Sequence, residues 1–244
     1  MTREDARPPL LLIPGLDGTG LLFYRQIPEL SKDYGVATVR LPDSARDMPE
    51  LIAHVDRAVD ALTDSDGSKV TLVGESFGGA LSLSYALAHA DRVERLVILN
   101  SFPYFSPQLR LWLGLTLLRA VPWGAMALVR RLTAWRLHSR HTGREELRRF
   151  HQLMQATTRD GYVSRLSILR EYDVRAHLPT LSVPTLFLAS DADHLVPSVE
   201  QARLMTSLVP GATMKVLEGH GHICLLAPDM NLADILADWT PANA

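Results

Sequence analysis

Short apolar and β-branched runs recur along this chain with little polar alternation. They fall at residues 10–14 (LLLIP), 36–41 (VATVRL), 69–74 (KVTLVG), 95–100 (RLVILN), 185–189 (TLFLA) and 213–217 (TMKVL). Such runs belong to strands covered on both faces, where neither side needs polar residues. Helical patterns lie between them. In residues 49–62, Leu51, Ile52, Val55, Val59 and Leu62 share one face at helical spacing. Residues 77–89, 198–208 and 229–239 also read as helices, with Pro228-Asp229 opening the last of them. Strands alternating with helices predict an α/β fold. Its expected form is a mostly parallel, doubly wound sheet of about six strands with helices on both sides.

One stretch breaks the rhythm. Residues 102–178 contain no good strand, but carry arginine-rich helical segments interrupted by Pro103, Pro107, Pro122 and Gly143. The expected organisation is a core of residues 1–101 and 179–244 with residues 102–178 inserted as a helical cap. The most apolar part of the insertion, 109–129, is broken by Arg110, Arg119 and Pro122, and makes a poor membrane span. The charged N-terminus is followed by an apolar run too short for a signal segment, so a cytoplasmic protein is expected. Hydrophobic residues make up 47% of the chain and charged residues 21%, which suits a globular core. A net charge of -2 gives no general case for nucleic-acid binding. With Cys224 the sole cysteine, an internal disulfide and a four-cysteine zinc site are excluded. No cofactor and no metal is expected.

The run after the third strand, Gly74-Glu75-Ser76-Phe77-Gly78-Gly79, is a G-x-S-x-G turn between a strand and a helix. In that setting a serine is held on a strained turn with its Oγ clear of the sheet. Glycines flank it where a Cβ would crowd the turn. The Phe77 N–H would then lie at a helix start, aimed at a developing oxyanion. A second donor is needed. The glycine-dense run Pro14-Gly15-Leu16-Asp17-Gly18-Thr19-Gly20 after the first strand supplies a candidate, the N–H of Leu16, with Asp17 as the alternative. It is not a phosphate loop, because no lysine follows at the required position.

A general base must be neutral near pH 7 and reach the serine, which suits histidine. His220 and His222 share one loop after the last strand, and spacing alone does not separate them. The orienting acid should lie between serine and histidine in chain order. Asp191 and Asp193 both qualify, and His194 beside them reads as a bystander.

These residues make the chain resemble the α/β-hydrolase superfamily over nearly its whole length. The superfamily's D-x-x-V-P loop falls on Asp193. Its Gly-His followed six residues later by Pro falls on Gly221-His222 and Pro228. The resemblance therefore implies Ser76 as nucleophile, Asp193 as acid and His222 as base, with no cofactor. It also marks departures. Pro14-Gly15 replaces the usual His-Gly, and the leading antiparallel strands have little sequence to form from. The PGLDGTG run is similar to that of hydrolase-like acyltransferases of plastids. The implied activity is a carboxylesterase acting on an acyl ester through an acyl-enzyme. Thioester hydrolysis, acyl transfer and a non-catalytic ligand-binding role are the alternatives. An aspartate would be expected at position 76 for dehalogenase or epoxide-hydrolase chemistry.

Charge is unevenly spread. Residues 103–177 hold 13 arginines, no lysine and 5 acids, a charge of +8, which leaves -10 for the rest. Arginine binds carboxylates and phosphates bidentately, so an anionic carrier, acyl carrier protein or coenzyme A, is a candidate partner. The insertion resembles in this composition the lid of pimeloyl-carrier-protein methyl ester esterases. The plainer expectation is a basic cap face paired with the acidic body.

Overall fold

The computed structural model describes residues 7–63, 68–105 and 137–241. Its centre is a six-stranded sheet built of β1 (Pro9–Ile13), β2 (Gly35–Thr38), β3 (Val70–Glu75), β4 (Val93–Leu99), β5 (Thr185–Ser190) and β6 (Thr213–Leu217). The strands are ordered β2-β1-β3-β4-β5-β6, and every pairing is parallel. The order reverses beside β1 and β3. Loops leaving the carboxyl ends of the strands diverge there and leave room for a site.

Side-chain alternation divides the sheet between two apolar layers. Leu10 and Leu12 of β1, Val97 and Leu99 of β4, and Leu186 and Leu188 of β5 face one layer. They pack there with Leu30 of α1 (Ile27–Asp33) and with Leu232, Ile235 and Leu236 of α7 (Leu232–Asp238). Leu11, Ile13, Leu96, Ile98, Phe187 and Ala189 face the other. That layer is completed by α2 (Met48–Leu62), α3 (Phe77–Ala88) and α6 (Ser198–Leu208). Burying each leucine contributes roughly 1.5–3 kcal/mol, which makes this two-sided burial the main stabiliser of the sheet.

Two expected elements shift for identifiable reasons. The second strand ends at Thr38 rather than 41: Val39 N still bonds Leu12 O, but Leu41 N turns to Gly18 O in the glycine loop. The last helix begins at Leu232, not at Asp229. Asn231 caps it by accepting from Ala233 N, and Gln26 holds the preceding segment through Leu225 O, Met230 O and Leu232 N. Helix α1, with Pro28 in its first turn, was not anticipated.

Of the expected cap, residues 106–136 lie outside the described residues, as does the expected basic apolar stretch 109–129. The described remainder holds α4 (Arg144–Leu153) and α5 (Arg159–Leu169). Its two ends meet: Phe105 N donates to Tyr172 O and Val174 N to Pro103 O. These helices pack on the body. Leu166, Ile168 and Leu169 join the main apolar layer, while Phe150 and Met154 contact a cluster with Leu22 and Leu226. Among the described residues, no helix is long and apolar enough to cross a membrane.

Candidate active site

Strand β3 is wholly buried and delivers Ser76 at its end with φ 54° and ψ -118°, a positive-φ conformation unusual for a side-chain-bearing residue. Tertiary contacts impose that strain. Ser76 N donates to Leu99 O at 2.9 Å, and Ser101 Oγ donates to Ser76 O at 2.7 Å. There is no room for a Cβ on Gly78, where it would lie 2.1 Å from Ile13 O. The helix α3 starts at Phe77, whose N–H has no acceptor within the helix and belongs to its positive end.

The structure brings Ser76, His222 and Asp193 into one hydrogen-bonded chain. Ser76 Oγ is 3.0 Å from His222 Nε2, and His222 Nδ1 is 2.7 Å from Asp193 Oδ2. Asp193 Oδ1 accepts from Leu195 N at 2.8 Å and Val196 N at 2.9 Å, and Ser198 Oγ donates to Oδ2. Burial pushes the Asp193 carboxyl upward, but the His222 charge and these hydrogen bonds outweigh it and hold its pKa below the usual value. Burial likewise opposes the charged form of His222, yet the Asp193 carboxylate, aided by Glu75, raises its pKa above 6.5.

His220 and Asp191 go elsewhere. His220 Nδ1 is 2.9 Å from Ser139 Oγ, and burial lowers its pKa. Asp191 Oδ1 accepts from Gly219 N at 2.7 Å and so clamps the turn that carries the histidines. His194 is exposed.

The glycine loop abuts the serine. A Cβ on Gly15 would stand 3.4 Å from Ser76 Cβ and 2.5 Å from Glu75 Oε2. Gly18 N closes a turn on Gly15 O at 3.0 Å, and Asp17 Oδ2 accepts from Thr19 N at 2.9 Å. The C=O and N–H of a trans peptide point in opposite directions. Leu16 N–H therefore points away from that turn bond, while Leu16 packs its side chain on the main core.

Three residues that sequence reasoning did not single out complete the site. Glu75 lies with Oε1 3.9 Å from His222 Nε2, and burial pushes its pKa up to about 7. Asn100, at φ 48°, donates from Nδ2 to Ser190 Oγ and His222 O, both at 2.9 Å, and accepts from Ser190 N at 2.8 Å. It thus ties the end of β5 to the histidine loop. The signal for it was a lone polar residue closing an apolar strand. Arg165 of α5 donates to the carbonyls of Leu16 and Asp17; nothing local marks it among the other arginines.

The α/β-hydrolase-fold family matches residues 8–227. With that match over most of its length, on this sheet, the chain belongs to the α/β-hydrolase family. RutD of Serratia proteamaculans (strain 568), whose name ascribes carbamate hydrolysis to it, is 28% identical over 242 residues, covering 95% of this chain and 90% of that one. A pimeloyl-[acyl-carrier protein] methyl ester esterase of Vibrio vulnificus (strain CMCP6) is 24% identical over 224 residues, covering 88% of this chain and 87% of that one. A thermophilic esterase from Thermogutta terrifontis, solved with malate bound, shares the fold at a TM-score of 0.81 and 19% identity, covering 96% of this chain and 89% of that one.

Proposed function

We propose that the protein is a serine carboxylic-ester hydrolase of the carboxylesterase type, with Ser76 as nucleophile, His222 as general base and Asp193 as the orienting acid. The observation that carries this reading is the continuous path Ser76 Oγ–His222 Nε2–His222 Nδ1–Asp193 Oδ2, with steps of 3.0 Å and 2.7 Å. His222 Nε2 takes the Ser76 proton as Oγ attacks the acyl carbon, and the oxyanion settles against the N–H groups of Phe77 and Leu16. The imidazolium gives its proton to the leaving alcohol, and an acyl-enzyme remains. His222 then deprotonates water, which attacks the acyl carbon. Collapse of that adduct returns the proton to Ser76 and frees the acid. Asp193 stays ionised throughout, as its lowered pKa supports.

Residues 102–178 are read as the cap over this site. Three of its arginines are engaged within the protein. Arg165 is buried against the glycine loop, Arg175 pairs with Asp173 at 2.6 Å and Arg149 lies 5.6 Å over the Tyr24 ring. Of the three, Arg165 pairs with an acid of the body, Asp43 at 3.4 Å, as the plainer reading of the charge expects. The likeness to the Vibrio esterase supports a second reading, an ester or thioester presented on an anionic carrier. The likeness to RutD supports a carbamate, whose carbonyl the same serine would attack.

Hydrolysis of p-nitrophenyl esters from C2 to C12 tests the reading, with wild type beside Ser76→Ala. The expected result is a chain-length optimum in wild type and a loss of about 10⁴-fold or more in the variant. Equal turnover by both proteins would refute it.

A further inference from the structure

We infer that Arg165 is a positioning residue for the oxyanion loop, reaching from the insertion to hold the peptides that follow Gly15. This rests on the reading of Ser76 given above. The Arg165 side chain has no exposed surface, although it carries a charge in the protein interior. Such burial is tolerated only when the guanidinium donors find partners. Nε donates to Leu16 O at 2.9 Å, Nη2 to Asp17 O at 3.2 Å, and Nη1 to Asp43 Oδ1 at 3.4 Å. Two successive backbone carbonyls and one carboxylate are thus served by a single planar fork. Lysine, a point donor on a flexible stem, cannot reproduce that pattern.

The surroundings are shaped around the fork. A Cβ on Gly18, whose φ is +69°, would sit 2.5 Å from the guanidinium carbon. One on Gly161, a turn earlier in α5, would sit 2.0 Å from Asp43 Oδ1 and 2.8 Å from Arg165 Nη2. Both sides of the guanidinium therefore depend on the absence of a side chain.

The consequence for chemistry follows from peptide geometry. With Leu16 O on the arginine, the peptide joining Leu16 and Asp17 turns the Asp17 N–H away from it. The preceding peptide is fixed by the Gly18 N to Gly15 O bond, which turns the Leu16 N–H outward from that turn. The two candidate donors are each oriented by a partner on the opposite side of their own peptide. Without Arg165, Leu16 O and Asp17 O lose their anchors in a run containing Gly15, Gly18 and Gly20, and the peptides are free to rotate. A preorganised oxyanion donor is worth about 10²–10³ in kcat.

The test compares wild type with Arg165→Lys and Gly161→Ala. Asp56→Asn, which weakens the distant Tyr85–Arg92 network, serves as a stability control. The readouts are kcat and KM for p-nitrophenyl acetate, the rate of fluorophosphonate labelling, affinity for an arylboronic acid, and Tm. Arg165→Lys is expected to lower kcat and the labelling rate about 100-fold and boronate affinity in parallel, with KM nearly unchanged. Gly161→Ala, which keeps the arginine but displaces it, is expected to lower the labelling rate roughly tenfold, and it decides the matter if the lysine variant does not fold. Asp56→Asn should lower Tm without touching kcat. A labelling rate in the folded variants equal to wild type, an effect confined to KM, or losses that merely track Tm would overturn the inference. Ser76→Ala separates the two claims. If it keeps turnover, the triad reading itself fails; if it is inactive while Arg165→Lys behaves as wild type, only the role of Arg165 fails.

Discussion

The two sides of the site are built by different means. On the nucleophile side, the restraints are backbone sterics and the ends of adjacent strands. Gly78 lies against Ile13 O, Ser76 N bonds Leu99 O, and Asn100 ties β5 to the histidine loop. On the oxyanion side, the glycine loop is steadied by Arg165, 149 residues beyond Leu16. The first side is rigid wherever the sheet is formed. The second depends on the docking of α5, which carries Arg165 from the stretch proposed as the cap.

Several substitutions break or sharpen that contrast. The largest effect is expected at Asp193→Asn, which leaves the packing but removes the charge that orients His222. Turnover should fall about 10⁴-fold, while Asp191→Ala, which loses only the clamp on Gly219 N, should stay within about tenfold of wild type. Steady-state kinetics on one ester measures both. Next comes Gly78→Ala, whose Cβ meets backbone that cannot yield. It should cost about 3 kcal/mol in urea unfolding and abolish fluorophosphonate labelling. On the opposite side, Gly18→Ala meets the end of a side chain and a positive φ, so a cost of only about 1–2 kcal/mol is expected, with labelling slowed rather than lost.

The smallest effect is a shift in pH dependence. As the proposed base, His222 must be neutral to act, and its pKa is raised above the usual value by the Asp193 carboxylate. Turnover should therefore fall as pH drops through that raised value. The groups facing His222 are Asp193 and Glu75, with Asp193 the stronger influence. Glu75, with its pKa raised to about 7, is only partly ionised over this range, so Glu75→Gln removes a fraction of a charge and should move the acid limb of kcat/KM slightly to lower pH. A limb that moves upward, or does not move, would contradict this assignment.

The sequence made the nucleophile side legible because local sterics dictate its residue types. A strand, two glycines and a helix start mark Ser76, and chain order brackets the acid and base. It could not choose between His220 and His222 by physics, because two residues of one loop differ only in what the fold sets beside them: Ser139 for one, Asp193 for the other. Arg165 was invisible for the same reason, since every partner that gives it a role is distant in the chain, and Asn100 left only the weak mark of a polar residue closing an apolar strand. All six strands lie at the expected apolar runs, with most ends within a residue or two. Boundaries failed where a tertiary hydrogen bond ended an element early, at Leu41 and Asn231.

The central claim is that Ser76 is the activated nucleophile. The most direct measurement is mass spectrometry of the folded protein after fluorophosphonate treatment, in wild type and in His222→Gln. One adduct is expected, on the peptide containing Ser76, formed about 10³-fold more slowly in the variant. No adduct on folded wild type, or an adduct on any other residue, would contradict it.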